Sequence, residues 1–441
     1  MTRGAPPTFG QALHFWVKLG FISFGGPTGQ IAIMQTELVD RRGWISQAHF
    51  LHALNFCMLL PGPEAMQLAT YIGWLLHRTA GGLAAGLFFI IPSIFILLAL
   101  SYVYAAFGTL PWIAALFYGL KPAVLAIVAS ATLRIGARAL RHPLMYLVAA
   151  AAFSGLFFFH LPFPVIIAAA GGLGFIGGRW RPDLFAADAA RSASRESSKE
   201  TSGQPLHTRP STWRAIRVIL VALTFWVVPL VALKVWRGGG DVFFKEAVFF
   251  SKAAMVTFGG AYAVLPYVAQ QAVEKYHWLS AVEMMDGLGL AETTPGPLIM
   301  VLQFVGFMAG WRQAGDLGLA GAVLGGLTAT YFTFMPCFLW IFLGAPYIEQ
   351  TRTYRGLAGA LGTITAAVVG VVLNLAVWFG LHVLWPPTGG VDWFALGLTT
   401  VSFVGLQRYR WGIVPVVTGA ALLGLLYQIL VRGLLGVGPG A

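Results

Sequence analysis

Three stretches of this chain run without a charged residue: from Arg78 to Lys121, from Arg141 to Arg179, and from Arg355 to Asp392. About 20 apolar residues of helix suffice to cross a bilayer, so each stretch holds more than one crossing. Only 10% of the 441 residues are charged and 58% are hydrophobic. Soluble domains carry roughly 25% charged residues, and this chain cannot build their polar surface. The expected fold is an all-α integral membrane protein.

The formal net charge of +12 could suggest nucleic acid in a soluble protein. Here the basic residues fall mainly between apolar blocks, where they set orientation, so lipid and not nucleic acid is the expected surrounding. Cys57 and Cys337 sit inside apolar segments and read as unpaired packing residues, with no disulfide, metal or cofactor expected. Met1 to Gly10 lacks the charged region, apolar core and cleavage site of a signal peptide.

Residues 183–212 are rich in Ser, Arg, Glu and Ala and cannot bury enough apolar surface to fold, which predicts a flexible cytoplasmic linker. It separates a first repeat (1–182) from a connecting helix (213–240) and a second repeat (241–441). At an offset of 234, positions 15–46 match positions 249–280 at 8 of 32 places. Phe15, Lys18, Phe24, Gly25, Gly26, Val39, Trp44 and Ser46 become Phe249, Lys252, Phe258, Gly259, Gly260, Val273, Trp278 and Ser280. The same offset carries Pro61-Gly62-Pro63 onto Pro295-Gly296-Pro297, and after a slip in register Pro92 and Pro336 still correspond. Internal duplication is common among secondary transporters.

Each repeat reads as six apolar segments, near 9–40, 46–77, 81–106, 111–139, 143–159 and 162–179, then near 242–273, 280–309, 317–344, 356–380, 393–407 and 411–431. The loop after the first repeat's fourth segment carries Arg134, Arg138 and Arg141, and its neighbours carry no Lys or Arg. In the second repeat the equivalent loop has none, while its neighbours carry Arg352 with Arg355 and Arg408 with Arg410. Equivalent loops therefore face opposite sides, which predicts inverted-topology repeats. The connecting segment, Arg217–Val235, supplies the odd crossing. The linker and N-terminus then lie in the cytoplasm, with Arg41 and Arg42 left on the outer side.

The first two segments of each repeat are interrupted. Ser23-Phe24-Gly25-Gly26-Pro27 and Thr257-Phe258-Gly259-Gly260 break the first, and the two Pro-Gly-Pro runs break the second. Proline removes a donor and breaks the helical ladder, and broken backbone is tolerated at membrane depth only where it is buried or lines a wet cavity. Trp44 and Trp278 read as interfacial anchors. Ser46 and Ser280 read as helix N-caps, the latter in a capping box with Glu283. From Ser46 to Pro61 is roughly 22 Å of helix, which places the breaks well inside the bilayer. Pro63 and Pro297 suit a first helical position, and the amides from Glu64 and Leu298 onward form positive helix ends that favour an anion. A single such break would serve packing, whereas four, paired across inverted repeats, point to a binding site.

Lys18 and Lys252 each lie two turns before their glycine break, on the same face, with snorkelling to the interface as the alternative. Lys121, in Gly119-Leu120-Lys121-Pro122, sits inside an apolar segment at a cost of about 2.5–3.5 kcal/mol. Asn374 lies at a similar depth and could donate hydrogen bonds. Glu64 and Glu292 flank the Pro-Gly-Pro breaks and are candidate proton carriers, or, for Glu64, a partner for a helix dipole. The chain has no G-x-x-x-x-G-K-[ST] loop for an ATP-driven pump and no H-E-x-x-H or Cys/His cluster. No catalytic arrangement stands out, and no enzyme activity is expected.

The run Phe24-Gly25-Gly26-Pro27, then Trp44, then Pro61-Gly62-Pro63 with Gln67 and Gly73, closely resembles the chromate ion transporter family. Phe258-Gly259-Gly260, Pro266, Trp278, Thr294-Pro295-Gly296-Pro297 and Gly306 repeat the resemblance, which covers nearly the whole chain in its long two-domain form. It implies export of chromate across the bacterial cytoplasmic (inner) membrane and chromate resistance, with sulfate a plausible competitor. The residues themselves reach only an anion transporter. Transport of another oxyanion, or a non-transporting scaffold or lipid-handling protein, are the alternatives, the paired lysines and breaks weighing against the last. A homodimer stays open.

Overall fold

The computed structural model describes residues 7–58, 60–180, 211–347, 355–386 and 390–435, and every regular element among them is helical. The first half contains α1 (Phe9–Ile22), α2 (Gly26–Gln35), a π-helical turn (Thr36–Arg41) and α3 (Gln47–Cys57). It continues through α4 (Glu64–Phe107), α5 (Pro111–Ala139), α6 (Pro143–Phe157) and α7 (Phe163–Trp180). A peripheral helix α8 (Thr212–Arg237) follows, where the connecting segment was expected. The second half contains α9 (Val242–Val256), α10 (Ala261–Ala269), a π-helical turn (Gln270–Lys275), α11 (Ala281–Thr293), a 3-10 turn (Leu298–Met300) and α12 (Val301–Gln313). It ends with α13 (Gly318–Gly344), α14 (Arg355–Leu384), α15 (Trp393–Arg408) and α16 (Ile413–Leu435). Seven of the described helices are long and apolar enough to cross a membrane. The expected linker, 183–212, falls outside the described residues except for its last two positions, which open α8.

Local structure repeats at the offset of 234 seen in the sequence. The two π-helical turns occupy equivalent positions. Gly43 and His277, also equivalent, both take positive φ, 59° and 52°. Ser46 caps α3 by accepting from the His49 amide, and Ser280 caps α11 by accepting from Glu283 in the expected capping box.

A straight 44-residue α4 would be about 66 Å long, twice the thickness of a hydrocarbon core. It is not straight. His77 and Arg78 leave helical geometry, Arg78 with φ 55°. Gly73 packs against Gly81 and Ala85, so close that a Cβ on Gly73 would lie 2.6 Å from that of Ala85. The two parts of α4 thus form a tight antiparallel hairpin that glycine permits.

The first two segments do not run straight through. The Arg42 guanidinium lies over the Phe15 ring, 5.1 Å from its centroid, and the Trp44 ring is 5.9 Å from Phe15. Straight continuation through α2 and the π-helical turn would carry Arg42 about 24 Å beyond the break. The chain therefore doubles back at Ser23–Gly25. It doubles back again at Pro61–Pro63, because a ring nitrogen of His77 lies 3.0 Å from the Pro7 carbonyl oxygen at the start of α1. The second half repeats both hairpins: Phe249 meets Trp278 at 5.6 Å, and Arg312 at the end of α12 donates to the Trp278 carbonyl at 3.2 Å. Arg41 and Arg42 consequently lie at the same end as the N-terminal part of α1, which removes the one awkward placement of the loop-charge pattern.

Two local expectations are corrected. Trp278 is fully buried among Phe249, Phe250 and Tyr276 and is a packing residue, not an interfacial anchor. Arg134 and Arg138, expected in a loop, belong to the last turns of α5.

The later helices of the two halves pack on one another through small residues. Gly119 of α5 lies against Gly424 of α16, and Gly174 of α7 lies against Gly359 and Ala360 of α14. Thr363 of α14 donates to the Ala170 carbonyl at 2.7 Å. Backbones approach this closely only where side chains are small. The outward faces carry exposed Leu, Phe and Val, as on α8 at Leu220, Phe225 and Val228. Such surface suits lipid contact.

Candidate functional site

All four breaks meet, and they meet crosswise. The Gly62 amide donates to the Thr257 carbonyl at 2.7 Å, and the Gly296 amide donates to the Ser23 carbonyl at 2.8 Å. Each Pro-Gly-Pro turn is thereby bonded to the glycine break of the opposite half. Gly62 and Gly296 take φ of 130° and 108°, and Gly25, Gly26, Gly259 and Gly260 lie between 68° and 90°. L-residues with side chains rarely adopt these conformations, so glycine is required by the backbone path itself.

Behind the breaks the chain is filled. A Cβ on Gly62 would meet Cys337 Sγ and Gln67 Nε2 at 2.7 Å, and one on Gly296 would lie 2.9 Å from Ser93 Cβ. Ser93 follows Pro92 and Cys337 follows Pro336, so these two residues also correspond. The Ser93 hydroxyl donates to the Pro295 carbonyl, and the Gln67 amide donates to the Pro61 carbonyl at 2.8 Å. Gln30 donates to the Gly296 carbonyl at 2.6 Å and to the Ser23 carbonyl at 3.3 Å.

These bonds sort the sequence candidates by what they can still offer. The hydroxyls of Ser23, Thr257 and Thr294 donate backward to Leu19, Ala253 and Ala291, and the amides of Gly62 and Gly296 are already used. None of these five donors is open to an anion as placed. What remains are helix N-termini. α2, α4, α10 and the Leu298–Met300 turn all begin at the breaks without a side-chain cap. The amides of Gly25, Gly259 and Gly260 donate to nothing among the described residues. Pro63 is the N-cap of α4, one position before the first helical residue expected for it, and the carbonyl of Pro63 accepts from Gln67 at 3.0 Å. Four uncapped ends carry partial positive charge, each about half a unit.

The carboxylates lie beside these ends. A Cβ on Gly260 would stand 3.7 Å from Glu64 Oε1, so Glu64 of the first half sits at the N-terminus of α10 in the second. Glu292 is buried and accepts at 2.5 Å from the hydroxyl of Tyr262, the second residue of the same helix. Lys18 and Lys252 are exposed on α1 and α9, and the Lys18 charge acts on Glu37, which is held by Arg41 and Arg42. Lys121 stands apart from the breaks on α5, 3.9 Å from Asp286. Asn374 is half-buried on α14, whose Val368 packs beside Gly259. Gln30, Ser93, Tyr262 and Asp286 escaped the sequence reading. Gln30 faces an apolar Val264 at the offset of 234, so the repeat gave it no signal, whereas Ser93 was reachable through its place after Pro92.

Comparison with known proteins adds the following. A family model described as a chromate transporter matches residues 10–175 and 244–425, one region in each half. A chromate transport protein of Cupriavidus metallidurans is 27% identical over 422 residues, covering 95% of this chain and 93% of that protein. A chromate transport protein of Pseudomonas aeruginosa is 29% identical, covering 96% of this chain and 94% of its own length. An uncharacterized transporter of Methanocaldococcus jannaschii is 25% identical over 96% of this chain and 95% of that protein. No solved structure matches.

Proposed function

Because the chain belongs to the chromate transporter family, we propose that it is a secondary transporter that exports chromate from the cytoplasm and so confers chromate resistance. The observation that carries this reading is the crosswise meeting of the four breaks, which gathers uncapped helix ends from both halves at one place. A tetrahedral dianion there would be held by amides of Gly25, Gly26, Gly259 and Gly260 and of the turns after Pro63 and Pro297. Lys18 and Lys252 would add charge from flanking helices, and Lys121 and Asn374 would line the path. Ser23, Pro61, Gln67, Thr257, Thr294 and Pro295 would act by shaping the breaks, since their polar groups face inward.

Inverted repeats follow from this reading. Both hairpins of a half begin and end on one side. α4 after its kink, α5, α6 and α7 then make four crossings, α8 makes a fifth, and the second half starts on the opposite side. Site residues belonging to equivalent but inverted halves can rock between two outlooks, which suits alternating access. The membrane potential, negative inside, favours exit of an anion, and Glu64 and Glu292, beside the helix ends, would add proton coupling.

The test is flux of radiolabelled chromate and of sulfate in proteoliposomes of the purified protein under an imposed potential. Chromate flux above that of empty liposomes supports the reading. Sulfate flux without chromate flux would assign another oxyanion, and no flux of either would overturn it.

A further inference from the structure

Lys121 and Asp286 form a charge pair that bridges the halves, on α5 and α11, with side chains 22% and 3% exposed. The pair is loose. Its closest approach, 3.9 Å from Nζ to Oδ1, is beyond hydrogen-bond reach. Asp286 Oδ1 accepts no hydrogen bond among the described residues, while Oδ2 accepts from the Tyr104 hydroxyl at 2.9 Å. Among those residues no other acidic group pairs with the Lys121 ammonium, and its three donors remain uncommitted. The pair also has no symmetric copy: the equivalent positions are Thr365 and His52. Leu120 packs on Gly289, so Lys121 stands about two helical turns from the Pro-Gly-Pro break along α11.

We propose that Asp286 is a proton-binding residue whose protonation releases Lys121 to a tetrahedral oxyanion on its way to the breaks. This rests on the transport function proposed above and adds to it the residue through which anion and proton are linked. With Asp286 ionised the pair is neutral, and a dianion approaching Lys121 must also approach the carboxylate. One proton on Asp286 removes that repulsion and leaves Lys121 with a net positive charge. The Tyr104 hydroxyl keeps the carboxyl in place in either state. Few other charges face the group. Glu283, on α11 itself, is held by Arg312 of α12, and Glu292 is bound to Tyr262. His382 of α14 packs at a tilt against Trp378, and Tyr427 of α16 stacks on Tyr118 and Phe394.

The experiment measures equilibrium binding of labelled chromate and of sulfate to the purified full chain across neutral and alkaline pH, together with proton uptake in weakly buffered solution. Chromate itself takes up a proton in mild acid, so wild type and variant are compared at each pH, and sulfate serves as the anion that stays unprotonated. Wild type is expected to lose up to about tenfold in affinity per pH unit once Asp286 ionises, and to take up a proton on binding. Asp286→Asn is expected to bind with flat pH dependence and without that proton. Lys121→Met should bind weakly at every pH. If Asp286→Asn fails to fold, the double variant Asp286→Asn with Lys121→Met restores charge balance and should bind weakly without pH dependence. Unchanged pH dependence and proton uptake in a folded Asp286→Asn or double variant would overturn the inference. A wild type that binds neither anion would overturn the transport reading itself.

Discussion

The amide of Gly62 donates to the carbonyl of Thr257 at 2.7 Å, joining the proline-flanked turn of one half to the glycine break of the other. The same bond recurs with the halves exchanged, from Gly296 to Ser23 at 2.8 Å. Two bonds related in this way fix the four helix ends relative to one another, so the breaks behave as one unit.

Gly62→Ala and Gly296→Ala are therefore expected to disturb that unit. A residue held at such φ costs about 1–3 kcal/mol, and the new Cβ would collide with Cys337 and Gln67, or with Ser93. Thermal unfolding in detergent should shift downward and chromate flux should fall sharply. Gly43→Asn is the control: His277 already occupies the equivalent positive-φ position, so both readouts should stay near wild type. Equal tolerance at all three positions would deny the breaks any special role.

The doubled-back hairpins give a second expectation. Cys57 and Cys337 are both buried, which keeps the labelling background low. A cysteine replacing Gly43 should be labelled from the same side of intact cells as one replacing Arg141. One replacing His277 should be labelled from the opposite side, as should one replacing His160. Labelling of positions 43 and 277 from the same side would contradict inversion.

The breaks and most segment boundaries were legible because glycine and proline mark them whatever the tertiary context. The capping of Ser46 and Ser280 was legible for the same local reason. The reversal of the chain at each break was not. It depends on Phe15 meeting Trp44 and on Phe249 meeting Trp278, contacts between residues that hydropathy merely counts as apolar. The positive charges of Arg41 and Arg42 were the one trace of it, visible as a conflict with straight crossings. Polar side chains behaved likewise. Ser23 and Thr257 looked like ligands, but their hydroxyls bond within their own helices. Asp286 gave no signal, because its partners Lys121 and Tyr104 lie more than 160 positions away.

The linker is expected to be dispensable. Nothing in the composition of 183–212 favours a packed core. Deleting about half of residues 188–207 should leave chromate resistance intact as long as the remaining length spans the gap. Loss of resistance by a protein that still inserts would assign this segment a further task.

The last expectation concerns Lys18 and Lys252. A dianion away from water needs compensating charge, because unpaired charge in a low dielectric is costly. Four helix ends of about half a charge each could balance it alone, so the lysines are needed only if the ends do not all bear on one anion. Both lysines occupy the same place in the repeat and are exposed. Lys18 is already within the influence of Glu37, itself bound by Arg41 and Arg42. Its charge is thus partly engaged, whereas at Lys252 the position equivalent to Glu37 is Gln271, which carries no charge. Replacing each with Gln or Met removes the charge and keeps much of the length. Initial chromate uptake into inside-out vesicles, normalised to inserted protein, is expected to fall in both variants, and further in Lys252→Gln than in Lys18→Gln. Chromate binding should weaken in the same order. Near-normal uptake in both would reduce these lysines to snorkelling side chains and leave the helix ends as the anion's holders.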